Sequence, residues 1–81
     1  MRRVMIDGRY ISRVLPSGRE LSVDTREYIA LQDDGNVYLE SAHGLSLFLG
    51  HRSTLHNGLV TDYYSSDKLA LINSGIREIL G

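Results

Sequence analysis

His51 and His56 stand five residues apart in the stretch LGHRSTLHNG, residues 49–58, with Arg52, Ser53 and Thr54 between them. Imidazoles beside hydroxyls are the raw material of a metal centre or of a nucleophile–base pair. A five-residue spacing puts the two rings on opposite faces of a strand, or about 140° apart on a helix. Neither regular element lets both ligate one ion. The third histidine, His43, would share a strand face with His51, but Gly44 and Gly50 interrupt that interval. There is no cysteine and no H-E-x-x-H pattern, so thiolate zinc sites and disulfides are excluded. The expectation is a polar loop with no metal and no cofactor.

Other catalytic patterns fare no better. Nine serines, three histidines and ten acids supply combinations, but no G-x-S-x-G elbow orders them. Asp33 and Asp34 are adjacent carboxylates within DDGN, and a turn accounts for them. Glu20, Asp24 and Glu27 fit a solvated face. The glycines are scattered, with neither G-x-G-x-x-G nor a Walker-type lysine. No enzyme is expected.

Charge is distributed unevenly. Residues 1–26 carry six arginines against Asp7, Glu20 and Asp24, a net +3. Residues 27–40 carry Glu27, Asp33, Asp34 and Glu40 without a base, a net −4. Over the whole chain the net charge is −1, with eight arginines and one lysine. A near-neutral chain does not coat nucleic acid nonspecifically. Arginine's planar fork suits acidic or phosphate-bearing partners, which makes Arg2, Arg3, Arg9 and Arg13 a candidate basic patch. The alternative is ion pairing within the chain, to Glu27 or Glu40.

The elements that must position these residues follow from pattern. RVMIDGRYISRV holds two β-rich runs around Asp7-Gly8, a strong hairpin signal. Pro16-Ser17-Gly18 is a turn, ELSV starts a third strand, and EYIALQDDGNVYLES forms a second hairpin. Five strands in a meander fill residues 2–41. GLSLFLG is a strand or a short buried helix, and LVTDYY is a further strand. From Ser66 or Asp67 the period becomes helical, with Leu69, Ile72, Ile76, Ile79 and Leu80 on one stripe. Asn73-Ser74-Gly75 weakens this helix by roughly 1–2 kcal/mol in propensity, so packing must hold it.

A two-residue turn at Asp7-Gly8 pairs Ile6 with Arg9, Val4 with Ile11 and Arg2 with Arg13. Val4, Ile6 and Ile11 then share one face, and Met5, Tyr10 and Val14 the other. In the second hairpin, Gln32 opposite Val37 groups Tyr28, Ala30, Val37 and Leu39, and leaves Ile29, Leu31 and Tyr38 behind. Both hairpins are thus apolar on both faces, unlike a sheet with one solvated side. Ile29, Leu31 and Tyr38, with the outward one of Tyr63 and Tyr64, taken as Tyr64, are the candidate protein interface.

The 81 residues are expected to form a single α+β domain. Its form is a small twisted antiparallel sheet or partly open barrel of five to seven short strands, with a C-terminal helix. The basic start, MRRVMIDGRY, lacks a signal peptide's apolar stretch, and no run of ~18 apolar residues spans a membrane. A cytoplasmic location follows as an expectation. The expected function is noncatalytic: a binding module acting as inhibitor, adaptor or regulatory subunit on a protein partner or as a homodimer. A nucleic-acid-binding regulator using the N-terminal arginines is the alternative.

Overall fold

The computed structural model describes residues 1–55 and 65–81 of the chain. Among them six strands form two antiparallel sheets: β1 (Arg2–Asp7), β2 (Tyr10–Val14), β3 (Glu20–Asp24), β4 (Glu27–Leu31), β5 (Asn36–Ser41) and β6 (Ser46–His51). A single turn of helix, α1 (Arg52–Leu55), follows β6, and α2 (Ser66–Leu80) ends the chain. The class is α+β and the sheets are open. GLSLFLG resolves as strand, within β6. LVTDYY, Tyr64 and His56 lie outside the described residues.

Three loops share one construction. Leu15, Gln32 and Ser41 each accept the N–H of a glycine three residues on, at 2.8, 3.0 and 3.1 Å. Those glycines, Gly18, Gly35 and Gly44, have φ of 84°, 93° and 88°. This is the three-residue hairpin loop whose last position is left-handed and therefore favours glycine. At Asp33-Asp34-Gly35 it makes the loop one residue shorter than the four-residue turn expected from sequence. Leu31, not Gln32, consequently faces Val37. A one-residue slip exchanges the faces of a strand. Ile29 and Leu31 therefore share a face with Val37 and Leu39, whereas Tyr28 and Ala30 lie with Tyr38 and Glu40.

The first hairpin is also corrected. Gly8 has φ 82° and its N–H donates to the Asp7 carboxylate, but the chain does not reverse there. Val4 pairs with Ile29, and Ile11 with Val23. The chain reverses instead at Pro16-Ser17-Gly18, so residues 2–14 run antiparallel to residues 20–31. Asp7↔Glu27 and Tyr10↔Asp24 keep the same offset, so β2–β3 continues the β1–β4 ladder beyond a break at Gly8-Arg9. The four-stranded sheet accordingly has the order β1-β4-β5-β6, and β2–β3 is a separate ribbon.

Pairing β1 with β4 lets one helix cover both. Ile72, Ile76 and Ile79 of α2 are fully buried against Ile29, Leu31, Val37, Leu39 and Leu55, with Val4 and Ile6 packed at the margin. Each such isoleucine contributes roughly 2–3 kcal/mol. Ser65 caps α2, its side chain accepting the Lys68 N–H at 3.3 Å, one residue before the expected cap. Asp67 in the first turn complements the helix dipole. At the other end the Gly81 N–H, at a φ of 76°, donates to the Arg77 carbonyl.

Candidate protein-binding surface

The β2–β3 ribbon projects from the body, and the molecule measures 53 × 28 × 19 Å. Every residue of β2 is exposed, as is every residue of β3 except Asp24. Strand alternation sorts the side chains. Tyr10, Ser12, Val14, Glu20, Ser22 and Asp24 take one face, where the Ser12 hydroxyl donates to Glu20 Oε1 at 2.6 Å and Val14 is 74% exposed. Ile11, Leu21 and Val23 take the other, around an open hollow of about 290 Å³ that Arg13 completes. Their exposures are 36%, 48% and 56%, so a contiguous apolar face lies in water. A two-stranded ribbon alone is marginal in water, and among the described residues no helix lies over this face.

The ribbon is firmly rooted. Arg26 donates to both oxygens of Asp24, at 2.9 and 2.7 Å, and its guanidinium lies over the Tyr10 ring at 5.5 Å. The side-chain hydrogen bond from Arg26 holds the Asp24 carboxyl down at about 2. Thr25 and Arg9 bond across the junction through the Thr25 N–H (2.9 Å) and hydroxyl. Tyr10, Arg26, Tyr28 and Arg3 succeed one another along the side of the ladder away from α2. Ile11 and Val23 therefore continue the surface that α2 covers farther back. Lys68, bonded to Asp7 and Glu27, marks where that cover ends.

The sheet face away from α2 is the second open surface. Tyr38 and Phe48 meet edge-on with centroids 5.6 Å apart, and Phe48 is 61% exposed. Arg3 reaches Glu40 at 3.1 Å and lies over Tyr28 at 5.7 Å. Of the expected interface residues, Tyr38 is on this face. Ile29 and Leu31 are buried beneath α2 and are not available to a partner. The fourth, Tyr64, is outside the described residues.

The arginines do not form one patch. Arg2 donates to the Ile79 carbonyl at 3.2 Å, and Arg3 is occupied by Glu40. Arg13 faces Leu21, not Arg2. Eleven residues of extended chain separate Arg2 from Arg13, roughly 36 Å. Arg9, Arg13 and Arg19, all on the ribbon, have no ion-pair partner among the described residues.

His51 has a structural role. Its Nδ1 lies 2.9 Å from Ser53 Oγ and 3.2 Å from the Ser53 N–H, and its Nε2 lies 3.0 Å from the Asp34 carbonyl. Acceptance from the Ser53 N–H assigns the proton to Nε2, which donates to Asp34. Both ring nitrogens are thus used in capping α1 and tying it to the Asp33–Gly35 loop. Among the described residues no group of three His, Cys, Asp or Glu side chains is placed to hold a metal ion. No helix among them is long and apolar enough to cross a membrane.

Sequence reasoning missed the ribbon face because it assigned Ile11 to a hairpin with Val4. The available signal was the turn Pro16-Ser17-Gly18 between the β-rich runs YISRV and ELSV, a self-contained hairpin that places Ile11, Leu21 and Val23 on one side. Comparison of the chain with protein-family models, curated proteins and solved structures finds no match.

Proposed function

We propose that this protein is a small noncatalytic binding module that holds a protein partner on the apolar face of the β2–β3 ribbon, as an inhibitor, adaptor or regulatory subunit. The observation that carries this reading is the exposed hollow formed by Ile11, Leu21 and Val23 with Arg13, on a chain more extended than a compact monomer of its size. The chain exposes 5673 Å², whereas a compact monomer of 9.1 kDa exposes about 4,900 Å². The radius of gyration, 15.1 Å, likewise exceeds the roughly 12 Å of a compact chain of this length. Ile11, Leu21 and Val23 supply the apolar centre, and Arg13 and Arg19 its charged rim.

The test is affinity capture with the wild type beside an Ile11→Thr/Leu21→Thr/Val23→Thr variant, which keeps strand-favouring residues and removes the apolar face. Proteins retained by the wild type and lost by the variant support the reading. Identical retention by both would sink it.

A second reading, a nucleic-acid-binding regulator, is favoured by Arg9, Arg13 and Arg19, which have no ion-pair partner among the described residues. Its signature is affinity that falls steeply with salt as counterions return to the phosphates. The apolar character of the face and the net charge of −1 weigh against it.

A further inference from the structure

We propose that Asp7 is a modification site: its side chain closes onto the Gly8 nitrogen as a succinimide, which water reopens to an isoaspartyl link at the root of the ribbon. The reaction needs no enzyme and no co-reactant besides water. It does not depend on the binding reading above.

Two stretches of the sequence offer the same chemistry. Asp7-Gly8 and Asp34-Gly35 each place a carboxyl one residue before a glycine, whose nitrogen has no side chain beside it to hinder attack. The structure separates them. The Gly8 N–H donates to Asp7 Oδ1 at 2.8 Å, so the nucleophilic nitrogen already stands at the carboxyl it must attack. Reactants held this close react as one molecule, without the entropy cost of an encounter. The Gly35 N–H instead donates to the Gln32 carbonyl, at 3.0 Å. The Asp34 carboxylate is turned to Asn36, accepting its N–H at 2.9 Å and its side-chain amide at 3.2 Å. Ring closure at Asp34 must first dismantle a hairpin loop, and at Asp7 it need not.

The surroundings of Asp7 suit the reaction. Register slips between Met5 and Asp7, and the ladder breaks at Gly8-Arg9, so the ring forms where strand pairing is already interrupted. The Asp7 side chain is 48% exposed, which admits water.

In the first step the Gly8 nitrogen bonds to Asp7 Cγ and a Cγ–O bond breaks. The amide proton departs with that hydroxyl as water. In the second step water adds to the main-chain carbonyl carbon of Asp7, and its bond to the Gly8 nitrogen breaks. The water lost is regained, so the mass is unchanged, and the chain now runs through Cβ and Cγ, one carbon longer. That carbon enters beside the Thr25 carbonyl, where Gly8 leaves no room for a Cβ, so the product displaces the root of the ribbon. The reacting carboxyl is the protonated one, because its hydroxyl leaves as water. Lys68 Nζ, 3.3 Å from Asp7 Oδ2, favours the ionised form and acts as the brake.

The test is storage of the folded full chain at neutral pH for several weeks, then tryptic mapping with isoaspartyl methyltransferase labelling of each peptide. Peptides 4–9 and 27–52 carry the two sites, and Asn57-Gly58, outside the described residues, falls in a third, 53–68. Isoaspartate is expected at Asp7 and not at Asp34, whereas chain kept unfolded in urea should form it at both. Lys68→Met should raise the rate at Asp7 about two- to fivefold, the size of a lost surface ion pair. Asp34 should stay unreacted in that variant, which separates the lost brake from unfolding. Asp7→Glu, which would have to close a larger ring, should remove the product from peptide 4–9. An unmodified Asp7 in the folded chain, or equal rates at Asp7 and Asp34, overturns the proposal. A rate at Asp7 that Lys68→Met leaves unchanged overturns the role of Lys68.

Discussion

A Cβ built on Gly75 of α2 would lie 2.8 Å from Ile29 Cγ1 on β4, and 2.5 Å from Ile6 Cγ2 on β1. The glycine that weakens the helix in isolation is where helix and sheet come closest. Gly75→Ala gains about 1 kcal/mol of helix propensity. It must also push two packed isoleucines apart, and overpacking of this kind costs roughly 1–3 kcal/mol. The expected outcome is a net loss of up to about 2 kcal/mol, read as a lower urea midpoint with an unchanged slope. A midpoint raised by the substitution would show that the helix is free to lift.

Gly8 is held by backbone. A Cβ there would lie 2.0 Å from the Thr25 carbonyl oxygen, and its φ of 82° belongs to the left-handed region. Gly8→Ala should therefore destabilise by more than the roughly 1–2 kcal/mol that left-handed strain alone costs. Amide hydrogen exchange should report the loss first at Arg9 and Thr25, where the ribbon joins the body.

Lys68 sits between two carboxylates, Asp7 and Glu27. The hydrogen bond to Glu27 raises its pKa, and the Gly8 N–H, helped by Lys68, lowers that of Asp7. A raised lysine pKa contributes stability that is complete below the unfolded value of about 10.4 and is lost as pH rises through the folded value. A lowered aspartate pKa contributes stability present above about 3.9 and lost as pH falls through the folded value. Lys68→Met should thus melt below the wild type, with the widest gap between about pH 5 and pH 10. Parallel thermal scans across pH check this, and a gap independent of pH would assign the effect to packing.

Asp24 titrates at about 2 because Arg26 hydrogen-bonds its carboxylate. The pair therefore contributes fully above about pH 4 and loses its contribution as pH falls through about 2. Asp24→Asn should loosen the ribbon's root near neutral pH and match the wild type in strong acid. The side-chain signals of Tyr10, under the Arg26 guanidinium, are the local reporter.

His51 has no nitrogen to spare for a metal, so neither zinc nor a chelator should shift the melting temperature. His51→Ala removes the cap of α1 and its tie to the Asp34 carbonyl. A loss of about 1 kcal/mol is expected, as for other N-cap deletions. Stabilisation by zinc in the wild type that His51→Ala abolishes would contradict the structural role.

The sequence by itself determined the class, the strands of residues 2–41 and the C-terminal helix, because those signals are local. A run of alternating or helically spaced apolar residues declares its element within a few positions, and Gly18 and Gly35 declare where chain reversal is cheap. Which strand neighbours which was not local. Asp7-Gly8 offers as good a turn as Pro16-Ser17-Gly18, and only the burial of Val4 and Ile6 beside Ile29, under Ile72 and Ile76, makes the longer hairpin the better one. The register of β5 turned on a single residue of loop length, and that residue decided whether Ile29 and Leu31 met a partner or the core. The ribbon surface appeared only with the tertiary structure, for the same reason. An exposed apolar face is defined by what fails to cover it, and α2 ends, at Ser66, before it reaches Ile11, Leu21 and Val23.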